Sequence, residues 1–220
     1  MSEISDHTFF SMKDYISNFS DEEDEVLHEL FRETNKKVLQ PRMLSGHIQG
    51  KMLEMLTRMV NPRNMLEIGT YTGYATICIA RGLNYNAVLH TIEINDELEE
   101  FIRHYLDKAG VQEKIHLHIG KAQEIIPELN QKFDCIFIDG DKREYPEYLK
   151  FCKEYLNSGG FIIADNVLWN GKVLEEKQKA DKHTKGIQTF NQQVKSDPEL
   201  FQVIFPIRDG LMIIQKNSDK

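Results

Sequence analysis

The sequence predicts an α/β fold, a doubly wound seven-stranded sheet of the Rossmann-like type that is mostly parallel and carries an antiparallel C-terminal hairpin strand. From residue 65 onward, short apolar runs alternate with amphipathic segments, as strands joined by crossover helices do. The last two apolar runs are separated only by a short turn, so one of them must run antiparallel. The 220 residues, 40% hydrophobic, suffice for a single domain over residues 1–220 with residues 1–60 as an N-terminal helical cap.

The individual elements follow from local patterns. Residues 1–20 are predicted to be an arm or a short helix, and apolar residues at helical spacing predict helices over 24–40, ended by Pro41, and over 46–60. Asp96 with Glu99 resembles a capping box that opens a helix. The predicted strands are 65–69, 87–94, 114–119, 133–138, 160–165, 201–206 and 211–216, and the intervening helices are 73–81, 96–109, 122–129, 145–156 and 186–195.

Charge, apolar run length and cysteine content indicate which partners and which compartment to expect. The net charge of -8 gives no general attraction to nucleic acid or anionic lipid. No apolar run is long enough to span a bilayer, and the N-terminus lacks a secretory pattern. The three cysteines, without CxxC spacing, are most simply reduced core residues. We therefore expect a cytoplasmic protein without membrane contact.

A glycine-containing loop follows the first predicted strand. Gly69 and Gly73 allow a tight turn and a close ligand approach, and the helix that starts after Gly73 offers free N–H groups to a carboxylate. Glu93 ends the next strand, where an acid can bind ribose hydroxyls. The pattern ExGxxxG differs from the dinucleotide motif GxGxxG. Although either feature alone also suits an ordinary turn, together they favour S-adenosylmethionine over NAD.

Oxygen-bearing side chains follow two neighbouring strands further along the chain. Asp139 comes directly after one apolar strand, and Asp165 and Asn166 follow the next. Parallel neighbours bring their ends to one edge, and such hard ligands suit Mg²⁺ or Ca²⁺. The alternative is a helix cap and a turn. Lys142 lies three residues beyond Asp139, where a divalent cation would disfavour its ammonium form and make it a general base.

Several segments resemble one family. LEIGTYTGYAT, HTIEIND, DKAGVQEKI, FDCIFIDGDKREYPEY and ADNVLWNGKV are similar to the cation-dependent O-methyltransferases that include the caffeoyl-CoA and catechol enzymes and their bacterial relatives. The resemblance covers roughly residues 40–216 and is closer to the caffeoyl-CoA and bacterial branch. It implies a class I methyltransferase fold, S-adenosylmethionine, Mg²⁺ (or Ca²⁺ or Mn²⁺) and a homodimer. The implied substrate is a hydroxyl of a small catechol-like or caffeoyl-CoA-like aromatic.

The resemblance also implies a role for individual residues. Asp139, Asp165 and Asn166 match the metal ligands, Lys142 matches the catalytic base beside Asp139, and Trp169 and Asn170 match the substrate side. Ala75 stands where relatives often carry a serine that touches the cofactor carboxylate, so its backbone N–H is expected to serve instead. The matched cofactor positions are Met43, Ser45, Glu67, Gly69, Tyr71, Gly73, Ala75, Glu93, Gly120, Ala122, Asp139 and Asp141.

Three alternatives remain open from the sequence. A dinucleotide-dependent oxidoreductase would share the sheet, and a non-catalytic binding protein would share the whole fold. A relative that methylates a tRNA nucleoside would need a local basic face, for which Lys36, Lys37, Arg42, Arg143 and Lys172 are the candidates. His116 and His118 share one face of a strand, where a solvated edge is a simpler interpretation than a metal pair.

Overall fold

The computed structural model describes residue 12 and residues 14–176 and 179–218, and these contain one seven-stranded sheet in the order β3-β2-β1-β4-β5-β7-β6. The neighbours from β3 to β5 pair in parallel, and β7 pairs antiparallel with both β5 and β6. The fold prediction is therefore confirmed. The strands are β1 Asn64–Ile68, β2 Val88–Glu93, β3 Ile115–Ile119, β4 Phe133–Ile138, β5 Leu156–Ala164, β6 Leu200–Phe205 and β7 Leu211–Lys216.

Helices cover both faces of the sheet, and the residues of β1 and β4 are accordingly buried on both sides. Buried residues of α1 to α4 pack on one face and those of α5 to α7 on the other. The helices are α1 Glu25–Lys37, α2 His47–Val60, α3 Tyr74–Gly82, α4 Glu99–Lys108, α5 Ala122–Leu129, α6 Tyr145–Tyr155 and α7 Lys182–Ser196. Residues 14–18 are also helical, whereas residues 1–11 of the predicted N-terminal arm lie outside the described part.

The strand register aligns the carboxyl ends of the central strands. Ile68 of β1 pairs with Ile92 of β2 and with Ile138 of β4, and Ile138 in turn pairs with Ala164 of β5. The residues that follow these strands therefore meet at one edge, which is the usual ligand-binding edge of such a sheet. The N-terminal end of α2 reaches the same edge through the buried side chain of Gln49.

Four predicted boundaries were wrong. The helix α1 ends at Lys37 rather than at residue 40, because Val38 is already extended. The capping box is not formed, because Asn95 caps a short 3-10 turn over Asp96–Leu98 and α4 begins only at Glu99. β5 begins at Leu156, four residues early, because Leu156 already pairs with Phe133 of β4 before a register shift, after which the pairing resumes at Phe161 with Cys135. α7 begins at Lys182, since Asp181 accepts a hydrogen bond from the N–H of Thr184 and caps the helix.

Across the described residues, no helix combines the length and the apolar character that a bilayer crossing requires.

Candidate active site

The glycine loop after β1 forms one wall of the site. Gly69 has a φ of 101°, and an added Cβ would lie 2.5 Å from the carbonyl oxygen of Asp139, so the neighbouring strand ends pack against bare backbone here. Gly73 is left-handed (φ 89°) and begins α3 without a side-chain cap. Tyr71, between them, has a φ of 53°. The first turn of α3, which includes the buried Ala75, thus presents its N–H groups to this edge.

Glu67 lies inside the protein beneath this loop. Its side chain is fully buried, and Oε2 accepts hydrogen bonds from the Thr76 and Thr91 hydroxyls at 2.5 and 2.6 Å. Oε1 is buried and has no hydrogen-bond partner among the described residues. Burial, with a smaller contribution from the nearby Asp139 and Glu93, raises the pKa of Glu67 to about 8 despite the opposing hydroxyl bonds. At neutral pH Glu67 is therefore mostly protonated, and it supports the loop from below.

Glu93 terminates β2 next to the loop. Its Oε2 accepts the N–H of Tyr71 at 2.6 Å and its Oε1 accepts that of Asn95 at 2.9 Å. The carboxylate is mostly buried, and burial raises its pKa above the ordinary value although the backbone N–H groups oppose this. Each oxygen keeps lone-pair capacity for a further donor, as binding of ribose hydroxyls requires.

Four further predicted cofactor positions lie at the ends of other elements. Gly120 (φ 145°) follows β3 and donates its N–H to the Glu93 carbonyl at 2.8 Å, and Ala122 is the buried first residue of α5. Met43 ends a 3-10 turn with 52% of its surface exposed, whereas Ser45, two residues later, is buried. The segment that contains Met43 and Ser45 precedes α2, whose Gln49 contacts Asp165 at the sheet edge.

The predicted metal ligands come together as adjacent strand ends. The backbone N–H of Asp139 donates to the carbonyl oxygen of Ile68, the last residue of β1, at 2.9 Å. The backbone N–H of Asp165 donates to the carbonyl oxygen of Ile138, the last residue of β4, at 3.0 Å. The two aspartates therefore follow paired strands side by side. Asn166 is left-handed (φ 58°), and its side-chain amide makes no hydrogen bond within the described part of the chain. Asp165 Oδ2 accepts from Gln49 Nε2 at 2.6 Å and Oδ1 from Asn166 N at 2.8 Å.

Asp139 is the first of these two aspartates, and its carboxylate is buried close to Asp165. Burial raises the pKa of Asp139 to about 6, with Lys142 opposing the shift and the negative charge of Asp165 adding to it. Among the described residues, no three His, Cys, Asp or Glu side chains are placed to hold an ion. The donor set at this edge is instead two carboxylates plus the amide oxygen of Asn166, all hard oxygen ligands.

Lys142 is buried beside the first aspartate. Its Nζ donates to Asp139 Oδ1 at 2.7 Å, to the Gly140 carbonyl at 3.1 Å and to the Tyr145 hydroxyl at 3.0 Å. The Tyr145 hydroxyl lies 2.9 Å from the Asp165 carbonyl oxygen and so links the ends of β4 and β5. The close packing of α7 requires Gly186, because an added Cβ would overlap the carbonyl oxygen of Lys142.

The remaining predicted residues lie along the outer rim. Asp141 is paired with Arg143, which donates to both of its carboxylate oxygens. Trp169 stacks near His183 with ring centroids 6.1 Å apart, and its indole N–H is buried without a partner in the described structure. Asn170 is exposed, and its backbone N–H bonds to Asp209.

Comparison with known proteins identifies the family. A family model described as O-methyltransferase matches residues 17–217. The chain belongs to this O-methyltransferase family. It is 34% identical over 194 residues to a catechol O-methyltransferase of Niastella koreensis, with 86% of each chain covered. It is 32% identical to caffeoyl-CoA O-methyltransferase 1 of Eucalyptus globulus, with 80% of this chain and 76% of that protein covered.

Solved structures of O-methyltransferases share the fold. TomG of Streptomyces achromogenes, in complex with S-adenosylmethionine, has a TM-score of 0.88 at 27% identity and covers 94% of this chain and 96% of its own. A Bacillus cereus enzyme bound to S-adenosylhomocysteine has a TM-score of 0.88 at 26% identity and covers 94% and 97%. The prediction of an O-methyltransferase is confirmed, and the prediction of S-adenosylmethionine as the cofactor is supported.

Sequence reasoning missed several residues of this O-methyltransferase site. Tyr145 was assigned only to a helix, and Arg208 only to a turn. Gln49 lies 116 residues from its partner Asp165, and Arg208 lies 159 residues from Gln49, so no local pattern indicated either contact. Thr76 on α3 and Thr91 on β2 were also missed, although the hydroxyl of each donates to Glu67 of β1.

Proposed function

We propose that the protein transfers a methyl group from S-adenosylmethionine to a hydroxyl of a small catechol-like or caffeoyl-CoA-like aromatic, with a divalent cation at Asp139, Asp165 and Asn166. One observation carries the proposal: two paired strands end in adjacent aspartates directly beside the glycine loop. The relatives' names support an aromatic acceptor, since they include both catechol and caffeoyl-CoA enzymes.

The residues present fit the cofactor. The uncapped N-terminus of α3 suits the carboxylate of S-adenosylmethionine, and Glu93 retains acceptor capacity for its ribose. Gly120 and Ala122 would border the adenine, with Met43 and Ser45 on the methionine side. Bound S-adenosylmethionine supplies an electrophilic methyl group on a sulfonium ion.

The residues also fit a hard divalent cation. Two carboxylates and one amide oxygen leave about three of the six positions that Mg²⁺ prefers for water or acceptor oxygens, and Ca²⁺ or Mn²⁺ suits the same donors. The Lys142 ammonium pairs with Asp139 at 2.7 Å and Arg208 also lowers the pKa of Asp139, yet burial and the charge of Asp165 still raise that pKa to about 6, so a further positive charge would be favourable here. A bound divalent cation supplies Lewis acidity that favours the ionised form of an acceptor hydroxyl.

The chain itself contributes orientation and a base. Hydrogen bonds to Gly140 O and Tyr145 Oη hold Lys142 Nζ in place. In its neutral amine form, Lys142 would accept the proton of the acceptor hydroxyl at Nζ. Trp169 at the rim would cover an aromatic ring. Holding the acceptor oxygen in line with the methyl group is the largest contribution, since orientation can supply about 7–11 kcal/mol.

The basic residues considered for tRNA are mostly neutralised. Lys36 and Lys37 both pair with Glu33, at 3.0 and 2.8 Å, Arg143 pairs with Asp141, and Lys172 pairs with Asp181. A small acceptor therefore fits the surface better than a long polyanion does.

A methyl-transfer assay with labelled S-adenosylmethionine tests the proposal. The acceptors are catechol, caffeoyl-CoA and bulk tRNA, each with and without EDTA. We expect transfer to an aromatic acceptor that EDTA abolishes, and Lys142→Met should lower kcat at least 100-fold while S-adenosylhomocysteine affinity stays within threefold. Transfer that persists in EDTA would refute the metal, and transfer to tRNA alone would refute the aromatic acceptor.

The homodimer and the cytoplasmic location stay proposals. The edge strand β6 exposes Phe201, Val203 and Phe205, an apolar edge that proteins usually cover. Sedimentation equilibrium at micromolar concentration should give twice the chain mass of 25.7 kDa, and a monomer would contradict the dimer.

A further inference from the structure

The turn between β6 and β7 contacts the site from the side opposite the glycine loop. Arg208 in this turn has a φ of 50°, a left-handed conformation that residues other than glycine seldom adopt unless their surroundings impose it. Its guanidinium donates to the carbonyl oxygens of Leu44 and Ser45 and to Oε1 of Gln49. Arg208 therefore fixes the segment before α2, although the arginine as a whole remains exposed.

Gln49 connects this arginine to the carboxylate of Asp165. Only 2% of Gln49 is exposed, and its Nε2 donates to Asp165 Oδ2 at 2.6 Å. Because a guanidinium can only donate, its bond to Oε1 forces the amide nitrogen to face Asp165. The reversed amide would place an oxygen against the carboxylate and leave both without a donor.

The same turn also holds the other side of the site. Leu168 N donates to Asp209 O at 2.9 Å, and Val167 N donates to Gly210 O at 3.1 Å. Gly210 (φ 86°) is required because an added Cβ would overlap the Leu168 side chain. The turn thus binds the segment that directly follows Asp165 and the segment that precedes α2.

We infer that Arg208 and Gln49 are positioning residues that hold the Asp165 carboxylate in place and couple it to the Leu44–Ser45 backbone on the cofactor side. The inference rests on the proposed metal site. Carboxylates that bind metals are commonly oriented by a hydrogen bond of their own, and loss of such a partner typically weakens metal binding 10- to 100-fold. The Gln49 amide is the side-chain donor that fulfils this role for Asp165.

A role of Arg208 through its position and a role through its charge predict opposite effects of its removal on the affinity for a cation. If the arginine acted only through its charge, its removal would strengthen cation binding, because Arg208 lies close enough to affect the charge of Asp139. If it acts through Gln49, its removal weakens cation binding. Arg208→Lys keeps the charge but cannot span three acceptors, so it separates the two explanations.

The test measures Mn²⁺ and S-adenosylhomocysteine affinities by isothermal titration, without any acceptor. Gln49→Met should raise the Mn²⁺ Kd 10- to 100-fold and change metal-free S-adenosylhomocysteine affinity less than threefold. Arg208→Met and Arg208→Lys should raise the Mn²⁺ Kd, and Arg208→Met should also weaken metal-free S-adenosylhomocysteine binding. The double variant Gln49→Met with Arg208→Met should match Gln49→Met for Mn²⁺, because Arg208 acts on Asp165 only through Gln49.

Arg103→Met, which removes an exposed arginine paired with Glu99, is the matched control and should behave as wild type. Circular dichroism verifies folding, and the lysine variant serves if Arg208→Met does not fold. If the wild type binds Mn²⁺, then an unchanged Mn²⁺ Kd in Gln49→Met, or tighter Mn²⁺ binding in Arg208→Met, would overturn this inference but leave the proposed metal site intact. A wild-type chain that binds S-adenosylhomocysteine but no Mn²⁺ would overturn the proposed metal and the inference with it.

Discussion

Replacing the buried Glu67 with glutamine should change how stability depends on pH. The pKa of Glu67 is raised from 4.5 to about 8 in the folded protein, chiefly by burial. A carboxyl whose folded pKa is raised contributes stability that is fully present below the unfolded value and is lost as pH rises toward the folded value. The loss amounts to about 1.4 kcal/mol per pH unit within that window. Between pH 5.5 and 8, wild type should therefore lose about 3 kcal/mol that Glu67→Gln does not lose.

Glutamine is a close mimic of the protonated acid. Its oxygen can accept from Thr76 and Thr91, and its amide group takes the place of Oε1, which has no described partner in the wild type. Urea unfolding at pH 5.5, 7 and 8 without cofactor measures the difference. The exposed Glu128 on α5 provides a control, since Glu128→Gln should leave the pH slope unchanged. Parallel wild-type and Glu67→Gln stability curves over this range would refute the buried protonated acid.

Two further predictions concern packing and acid stability. Gly186→Ala should cost about 1–3 kcal/mol in urea unfolding and lower kcat, because the new methyl group overlaps the Lys142 carbonyl; unchanged values would contradict this packing. Burial, with smaller contributions from His116 and His118, lowers the pKa of His90 to about 4, so its stabilising contribution is complete above pH 6.5 and is lost as pH falls toward 4. From pH 7.5 to 5, wild type should lose about 1 kcal/mol more than His90→Gln after allowance for partial exposure, and an equal loss would refute the shift.

The sheet was predictable because each of its strands shows a local pattern of apolar residues in the sequence. The apolar run at Phe133–Ile138 and the turn before Leu211 specified a central strand and a hairpin without any tertiary information. The start of β5 was not predictable, because Asn157 and Ser158 look like a loop, and only the pairing of Leu156 with Phe133 before the register shift begins the strand this early. The start of α7 was placed too late because Gly186, a poor helix former, looked like a boundary, whereas its role is close packing on Lys142.

The site was predictable where its residues follow strand ends, since topology alone brings Asp139 and Asp165 to one edge. Gln49 and Arg208 were not predictable. Their hydrogen bonds join segments more than one hundred residues apart, and neither residue differs locally from an ordinary helix or turn residue.

Anomalous scattering from crystals grown with Mn²⁺ and S-adenosylhomocysteine tests the metal site most directly. We expect one peak per chain within about 2.2 Å of oxygen atoms of Asp139, Asp165 and Asn166, and no peak there in Asp165→Ala crystals grown the same way. A wild-type crystal with S-adenosylhomocysteine bound and no peak between these three side chains would contradict the proposed metal-dependent reaction.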